Sequence, residues 1–162
     1  MATTGAQEPR GRDLGAVIGE LGLTVGVAES LTGGLLANRF ARAEGASDWF
    51  RGGVVAYSAE VKHRLLAVRP GPVVSRGAVV DMARGAARLV GAELAVAVSG
   101  VGGPDPQDGL APGTVWIAVV AAGHEQAGLH RFDGDPDEVC AATCDAAIAL
   151  VLQVAWGRDE VA

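Results

Sequence analysis

Lysine is nearly absent from this sequence: Lys62 stands alone against twelve arginines. Tyrosine is equally rare, with Tyr57 alone, and aromatic residues make up only 4% of the chain, so valine, alanine and leucine must fill any core. The two cysteines, Cys140 and Cys144, are too few for a disulfide scaffold. No further His or Cys stands near them to complete a zinc site. Four residues apart in an apolar stretch, they share one helical face and read as small buried hydrophobes. Clustered basic charge is also missing: the arginines are scattered and the net charge is −6, which argues against nucleic acid as a partner. No run approaches the ~18 apolar residues of a membrane span. Met1 to Arg12 are polar, with Gly and Pro, and hold no apolar stretch of signal-peptide type. The expectation is a cytoplasmic protein without a membrane partner.

What is present suits one folded domain. The chain has 162 residues and is 49% apolar, which supports a core and excludes wholesale disorder. Residues 1–12 read as a flexible N-terminal tail and 13–158 as a single domain. Asp13 is a fitting N-cap for a helix to Leu21. Thr24 to Ala28 reads as a short buried strand, followed by Glu29-Ser30 and a helix from Leu35 to Ala43. Asp48 to Gly53 read as a turn region before a second strand, Val54 to Tyr57. Ser58 can cap a helix to Leu66, and Ser75 one that ends near Val90, with Gly91 as its stop. Leu94 to Val98 is an apolar run of strand length. Thr114 to Val120 and Gln126 to Phe132 read as a hairpin, and Asp137 opens a last helix to about Trp156. Alternating strands and helices followed by a hairpin predict a three-layer α/β/α sandwich around a mixed, mostly parallel sheet.

Three loops follow the first apolar strands: Glu29–Gly34, Tyr57–Lys62 and Ser99–Gly113. If those strands are parallel, the loops meet at one sheet edge, where open α/β sheets bind ligands. Ser30 stands where a strand hands over to a helix. It can be a nucleophile with helix N–H groups around it, or only a cap, as can Thr32. Gly33-Gly34 allows close approach of a ligand or close helix–strand packing, and is not a Walker A loop. Lys62 in an arginine-rich chain suggests a position where the cation must lose its proton, which lysine can do and arginine cannot. A stray surface lysine is the alternative. Tyr57, five residues before Lys62, can face the same pocket. A Ser-His-Asp triad is hard to build, because His63 points about 100° away from Lys62 around a helix. In Ser99-Gly100-Val101-Gly102-Gly103-Pro104-Asp105 the backbone N–H groups can form an anion nest, or the glycines can serve the loop alone. Asp105 and Asp108 read as solvated turn residues rather than metal ligands, and no metal is expected.

Five blocks carry a resemblance: Ala28-Glu29-Ser30-Leu31-Thr32-Gly33-Gly34, then Gly52-Gly53-Val54-Val55-Ala56-Tyr57-Ser58, then Lys62 with Leu65-Leu66, then Ser99-Gly100-Val101-Gly102-Gly103-Pro104, then Pro112-Gly113-Thr114-Val115-Trp116. In this order they resemble the CinA C-terminal domain family. The resemblance implies an amidohydrolase that converts nicotinamide mononucleotide to nicotinate mononucleotide and ammonia, in pyridine nucleotide salvage. It implies Ser30 as nucleophile, Lys62 as base and Tyr57 in support, with no cofactor. A pyridine mononucleotide is then the small-molecule partner, and a homo-oligomer the expected assembly. Glu29, Thr32, Gly33, Gly34, Ser99, Gly100, Gly102, Gly103 and Arg131 are the expected binding residues. Leu31 and Gly77 depart from the family pattern. So do Pro136 and Cys140, which stand where family arginines are frequent and leave Arg131 or backbone donors for a phosphate. A catalytically silent nucleotide- or partner-binding domain is the alternative.

Overall fold

The computed structural model describes residues 13–159; the tail expected over 1–12 lies outside them. Asp13 starts α1 (Leu14–Leu21) by accepting the N–H groups of Gly15 and Ala16, and Gly22 ends it in the left-handed region at φ 64°. β1 (Val25–Glu29) follows and is buried along its whole length. Next come α2 (Leu35–Ala41), the one-turn α3 (Ala46–Trp49) and β2 (Phe50–Val55). α4 (Ala59–Leu66) is capped by Ser58, and α5 (Arg76–Val90) by Ser75, with Gly91 as its stop. β3 (Leu94–Gly100) leads through a loop into the hairpin β4 (Thr114–Ala121) and β5 (His124–Arg131). α6 (Pro136–Asp159) closes the chain with proline at its first position, where a missing N–H costs nothing.

The sheet order is β2-β1-β3-β4-β5. β1 pairs parallel with both β2 and β3, while β3–β4 and β4–β5 are antiparallel. Four strands therefore share one direction and β4 alone opposes them, which is the mixed, mostly parallel sheet expected.

Side-chain size differs between the two faces. Val25, Val27, Val96, Val98, Val115 and Ile117 meet α1, α2, α3 and α6 in one cluster. Ala28, Ala95, Ala97 and Ala118 meet α4 and α5 in the other. Alanine on the second face lets α5 lie close against the strands.

Two sequence expectations need correction. Arg51-Gly52-Gly53 is not a turn but part of β2, which starts at Phe50. The pairing with β1 shifts register beside Arg51, and Gly52 takes φ 115° there, so a glycine pair that suggests a turn serves a bulge. Gly53 lies so near β1 that a Cβ would stand 2.5 Å from the Val27 carbonyl oxygen. Tyr57 consequently falls beyond the strand rather than on it. The second correction is α6. Its stretch Pro136–Gly157 is long and apolar enough to cross a membrane, which no run was expected to be. Here it is a core helix, with Val139, Cys144, Ala147, Val151 and Val154 buried against the sheet.

Candidate active site

The carboxyl ends of β1, β2 and β3 lie side by side, and the loops that leave them wall a cavity of about 310 Å³. Ser30 and Leu31 come from the first loop, Tyr57, Ala59 and Lys62 from the second, and Ser99 to Gly103 from the third. The three-loop convergence expected from the sequence is therefore the observed geometry.

Ser30 and Lys62 meet inside it. Lys62 Nζ donates to Ser30 Oγ at 3.0 Å and to the Tyr57 carbonyl oxygen at 3.2 Å. Both side chains are buried, Lys62 at 2% exposure and Ser30 at 7%. Lys62 lies in the first turn of α4, and a helical side chain leans towards its own N-terminus, which brings Nζ back over Ser58 towards β1. Burial pushes the lysine pKa down. Among the described residues no carboxylate stands within ion-pair distance to reverse that. The positive end of the α4 backbone dipole acts in the same direction. A lysine so placed can be neutral and accept a proton from the serine it touches.

Tyr57 contributes to this contact through its carbonyl. The residue as a whole is 72% exposed and lines the cavity. The histidines take no part: His63 Nδ1 sits 2.8 Å from the Val68 carbonyl oxygen, His130 stacks on Phe132, and none of the three lines the cavity.

Glu29 was expected to bind substrate, but its carboxylate faces α2. Oε1 accepts Thr32 Oγ at 2.6 Å and the N–H groups of Gly34 and Leu36, and Oε2 accepts the N–H of Ala37. The carboxylate thus satisfies the N–H groups that a helix start leaves unpaired. Thr32, Gly33 and Gly34 build the turn around it and do not line the cavity, and Arg131 stands exposed at the end of β5, also away from the cavity. The helix N-terminus beside Ser30 is therefore closed to an oxyanion. The backbone N–H groups of Gly102 and Gly103 make no hydrogen bond among the described residues. Leu31 and Ala59, the first residue of α4, also line the cavity with backbone N–H groups that make no hydrogen bond among the described residues.

Ser99 lines the cavity and donates from Oγ to the Val73 carbonyl oxygen at 2.7 Å, which fixes the segment before α5 as a wall. Val73 and Val74 carried no signal in the sequence. Pro136 and Cys140, visible there only as departures, line the cavity from α6. Cys140 corrects the reading of both cysteines as buried hydrophobes. Cys144 is fully buried, with its thiol pushed up to about 12 chiefly by burial. Cys140 is half-buried and donates from Sγ to the Leu31 carbonyl oxygen at 3.3 Å. Among the described residues no group of three His, Cys, Asp or Glu gathers as for a metal ion.

A family model described as the CinA C-terminal domain matches residues 7–155. A CinA-like protein of Citrifermentans bemidjiense is 39% identical over 142 residues, which cover 83% of this chain and 34% of that protein. The chain spans about a third of the length of the curated relatives it matches. Among solved structures, a competence-damaged protein (CinA) superfamily protein from Klebsiella pneumoniae superposes with TM-score 0.85 at 32% identity, covering 89% of this chain and 94% of that one. One from Escherichia coli superposes with TM-score 0.82 at 31% identity, covering 95% and 93%.

Proposed function

The chain belongs to the CinA C-terminal domain family, and from that premise we propose that it is a serine–lysine amidohydrolase of the nicotinamide mononucleotide type. The observation that carries this reading is the buried 3.0 Å contact between Lys62 Nζ and Ser30 Oγ at the convergence of three strand ends. Neutral Lys62 takes the Ser30 hydroxyl proton as Oγ bonds to the carboxamide carbon. The N–H groups of Gly102 and Gly103 hold the oxygen that becomes negative. Lys62 then gives the proton to the departing nitrogen, the C–N bond breaks, and ammonia leaves an ester on Ser30. Water attacks that ester as Lys62 accepts its proton. The carboxylate product departs, and the proton returns to Ser30.

The test is ammonia release from nicotinamide mononucleotide. Ser30→Ala should abolish it. Lys62→Arg should lose at least about 10²-fold, the lower range for a general base, while keeping the wild-type circular dichroism spectrum. Near-wild-type activity in Lys62→Arg would overturn the lysine as base. Calorimetric binding of a pyridine nucleotide with no ammonia over hours would instead favour a silent binding domain.

A further inference from the structure

One edge of the sheet is left open. β5 has eight residues, and none of them is buried. Its register with β4 runs without a bulge from the Thr114–Arg131 pair to the Ala121–His124 pair. It holds no proline and no lysine, residues that commonly guard such an edge. The other edge strand, β2, is bent by its bulge at Gly52. Phe132 N donates to the Gly113 carbonyl oxygen at 2.9 Å, which extends the β4–β5 ladder by one pair. Such bonds alternate along an antiparallel pair, so Gln126, Gly128 and His130 bond to β4. Glu125, Ala127, Leu129 and Arg131 turn their N–H and C=O groups to the free edge. There, none of them makes a backbone hydrogen bond among the described residues.

These residues also share one face. Glu125 pairs with Arg76 and Arg84 of α5, and Ala127 packs against the α5 cluster. Strand alternation puts Leu129 and Arg131 beside them. Leu129 is 45% exposed, and Arg131 makes no ion pair among the described residues. The row complements itself. When a second copy pairs antiparallel, free-edge residues must meet free-edge residues, so the two-fold axis passes through a residue and not between two. Through Gly128, it sets Glu125 opposite Arg131 of the second copy, and Ala127 opposite Leu129 of that copy, each pair twice. Through Ala127, Glu125 would face Leu129, and Arg131 would overrun the strand. Opposite charges and apolar side chains are the pairs that stabilise neighbouring strands, so Gly128 is the axis. Glu125 keeps its own half-exposed arginines, and its carboxylate has lone pairs for a third donor.

We propose that the protein forms a two-fold dimer in which β5 pairs antiparallel with β5 of a second copy about Gly128, carrying one sheet through both. The second copy runs reversed, so the two cavities open at opposite ends of the joined sheet, and no residue of β5 lines either. The dimer is independent of the amidohydrolase reading. Light scattering should give twice the 16.3 kDa of one chain. Leu129→Pro removes an edge donor while sparing the bonds to β4. The loss counts twice by symmetry, so it should raise the dimer Kd at least about tenfold. Gly128→Cys tests the axis. A Cβ there meets only His130 Nε2, at 3.5 Å, and residues facing each other at such a non-hydrogen-bonded position have Cα atoms about 4.5 Å apart, which a disulfide spans. Mild oxidation should therefore link two Gly128→Cys chains. The wild type, whose Cys140 and Cys144 lie on α6, should stay unlinked. A wild-type mass of one chain across the concentration range overturns the proposal. So does a dimer that Leu129→Pro leaves equally tight, or one in which Gly128→Cys does not cross-link. Should Leu129→Pro fail to fold by circular dichroism, the cross-link decides. Folded Leu129→Pro should release ammonia at the wild-type rate per chain. If the wild type is dimeric and releases none, the dimer stands and the amidohydrolase reading falls.

Discussion

Lys62 has to be neutral to accept a proton from Ser30, so its lowered pKa places the rising limb of the pH–rate profile below the ordinary lysine range. On the proposed mechanism, kcat/KM for a pyridine carboxamide rises with pH across that limb. A profile flat from pH 6 to 10 would remove Lys62 from the role of base. The same burial opposes stability. In the window between the lowered folded value and the unfolded value of 10.5, the unfolded chain holds more protons, so stability rises with pH there. Below the window the buried ammonium destabilises by a constant amount. Lys62→Met removes that penalty and keeps the stem's packing. It should be inactive yet more stable by ~0.5–2 kcal/mol. The gain in melting temperature should be largest near neutral pH and fade towards pH 10. A melting temperature at or below wild type at neutral pH would contradict it. At this scale Lys62 was legible in composition, as one lysine among arginines, and Ser30 in its place between strand and helix. Glu29 was not, because a carboxylate after a strand looks the same in sequence whether it faces a ligand or a helix end. Tyr57 was half legible: it lines the cavity as expected, but from beyond the strand, and it meets Lys62 through its carbonyl.

Caps made the helices readable. Asp13, Ser58 and Ser75 each take the backbone N–H groups their positions predict, and Gly22 and Gly91 end α1 and α5 in the left-handed region. β2 was misread because glycine signals a turn locally, whereas here it answers to a neighbouring strand. Gly85 makes the same point inside α5, where a Cβ would stand 2.3 Å from the Leu66 carbonyl oxygen. Helix propensity favours alanine over glycine by about 1 kcal/mol. The clash falls on backbone, so overpacking of ~1–3 kcal/mol wins. Gly85→Ala should therefore destabilise, measured by chemical denaturation, and should do more than that. Leu66 is the last residue of α4, the helix that carries Lys62. Displacing α4 lengthens the contact with Ser30, so kcat should fall several-fold in protein that is still folded. Unchanged stability would show that α4 slides without resistance. Reduced stability with unchanged kcat would show that Lys62 does not depend on the seat of α4.

In the whole molecule, the proposed dyad bridges two layers. Ser30 leaves the sheet at the end of β1, while Lys62 belongs to the layer of α4 and α5. The spacing between sheet and helices on the alanine face therefore sets the Ser30–Lys62 distance, whereas the valine face, under α1, α2, α3 and α6, does not. Two core substitutions separate these roles. Val96→Ala opens a void on the valine face, and its lost packing destabilises by ~1–2 kcal/mol. Ala97→Leu adds volume on the alanine face and destabilises by a similar ~1–3 kcal/mol through overpacking. Both residues are fully buried on β3, side by side in the chain, and β3 exposes them to opposite helix layers. Stability alone cannot tell the two apart, but activity can. Ala97→Leu lifts α5, and with it α4 and the wall at Val73 that Ser99 anchors. Its kcat should fall by about tenfold or more, since small misplacements of a catalytic group are costly. Val96→Ala should keep kcat within about twofold at temperatures where both variants remain folded. Equal losses of kcat would mean that global loosening, rather than layer spacing, governs the site.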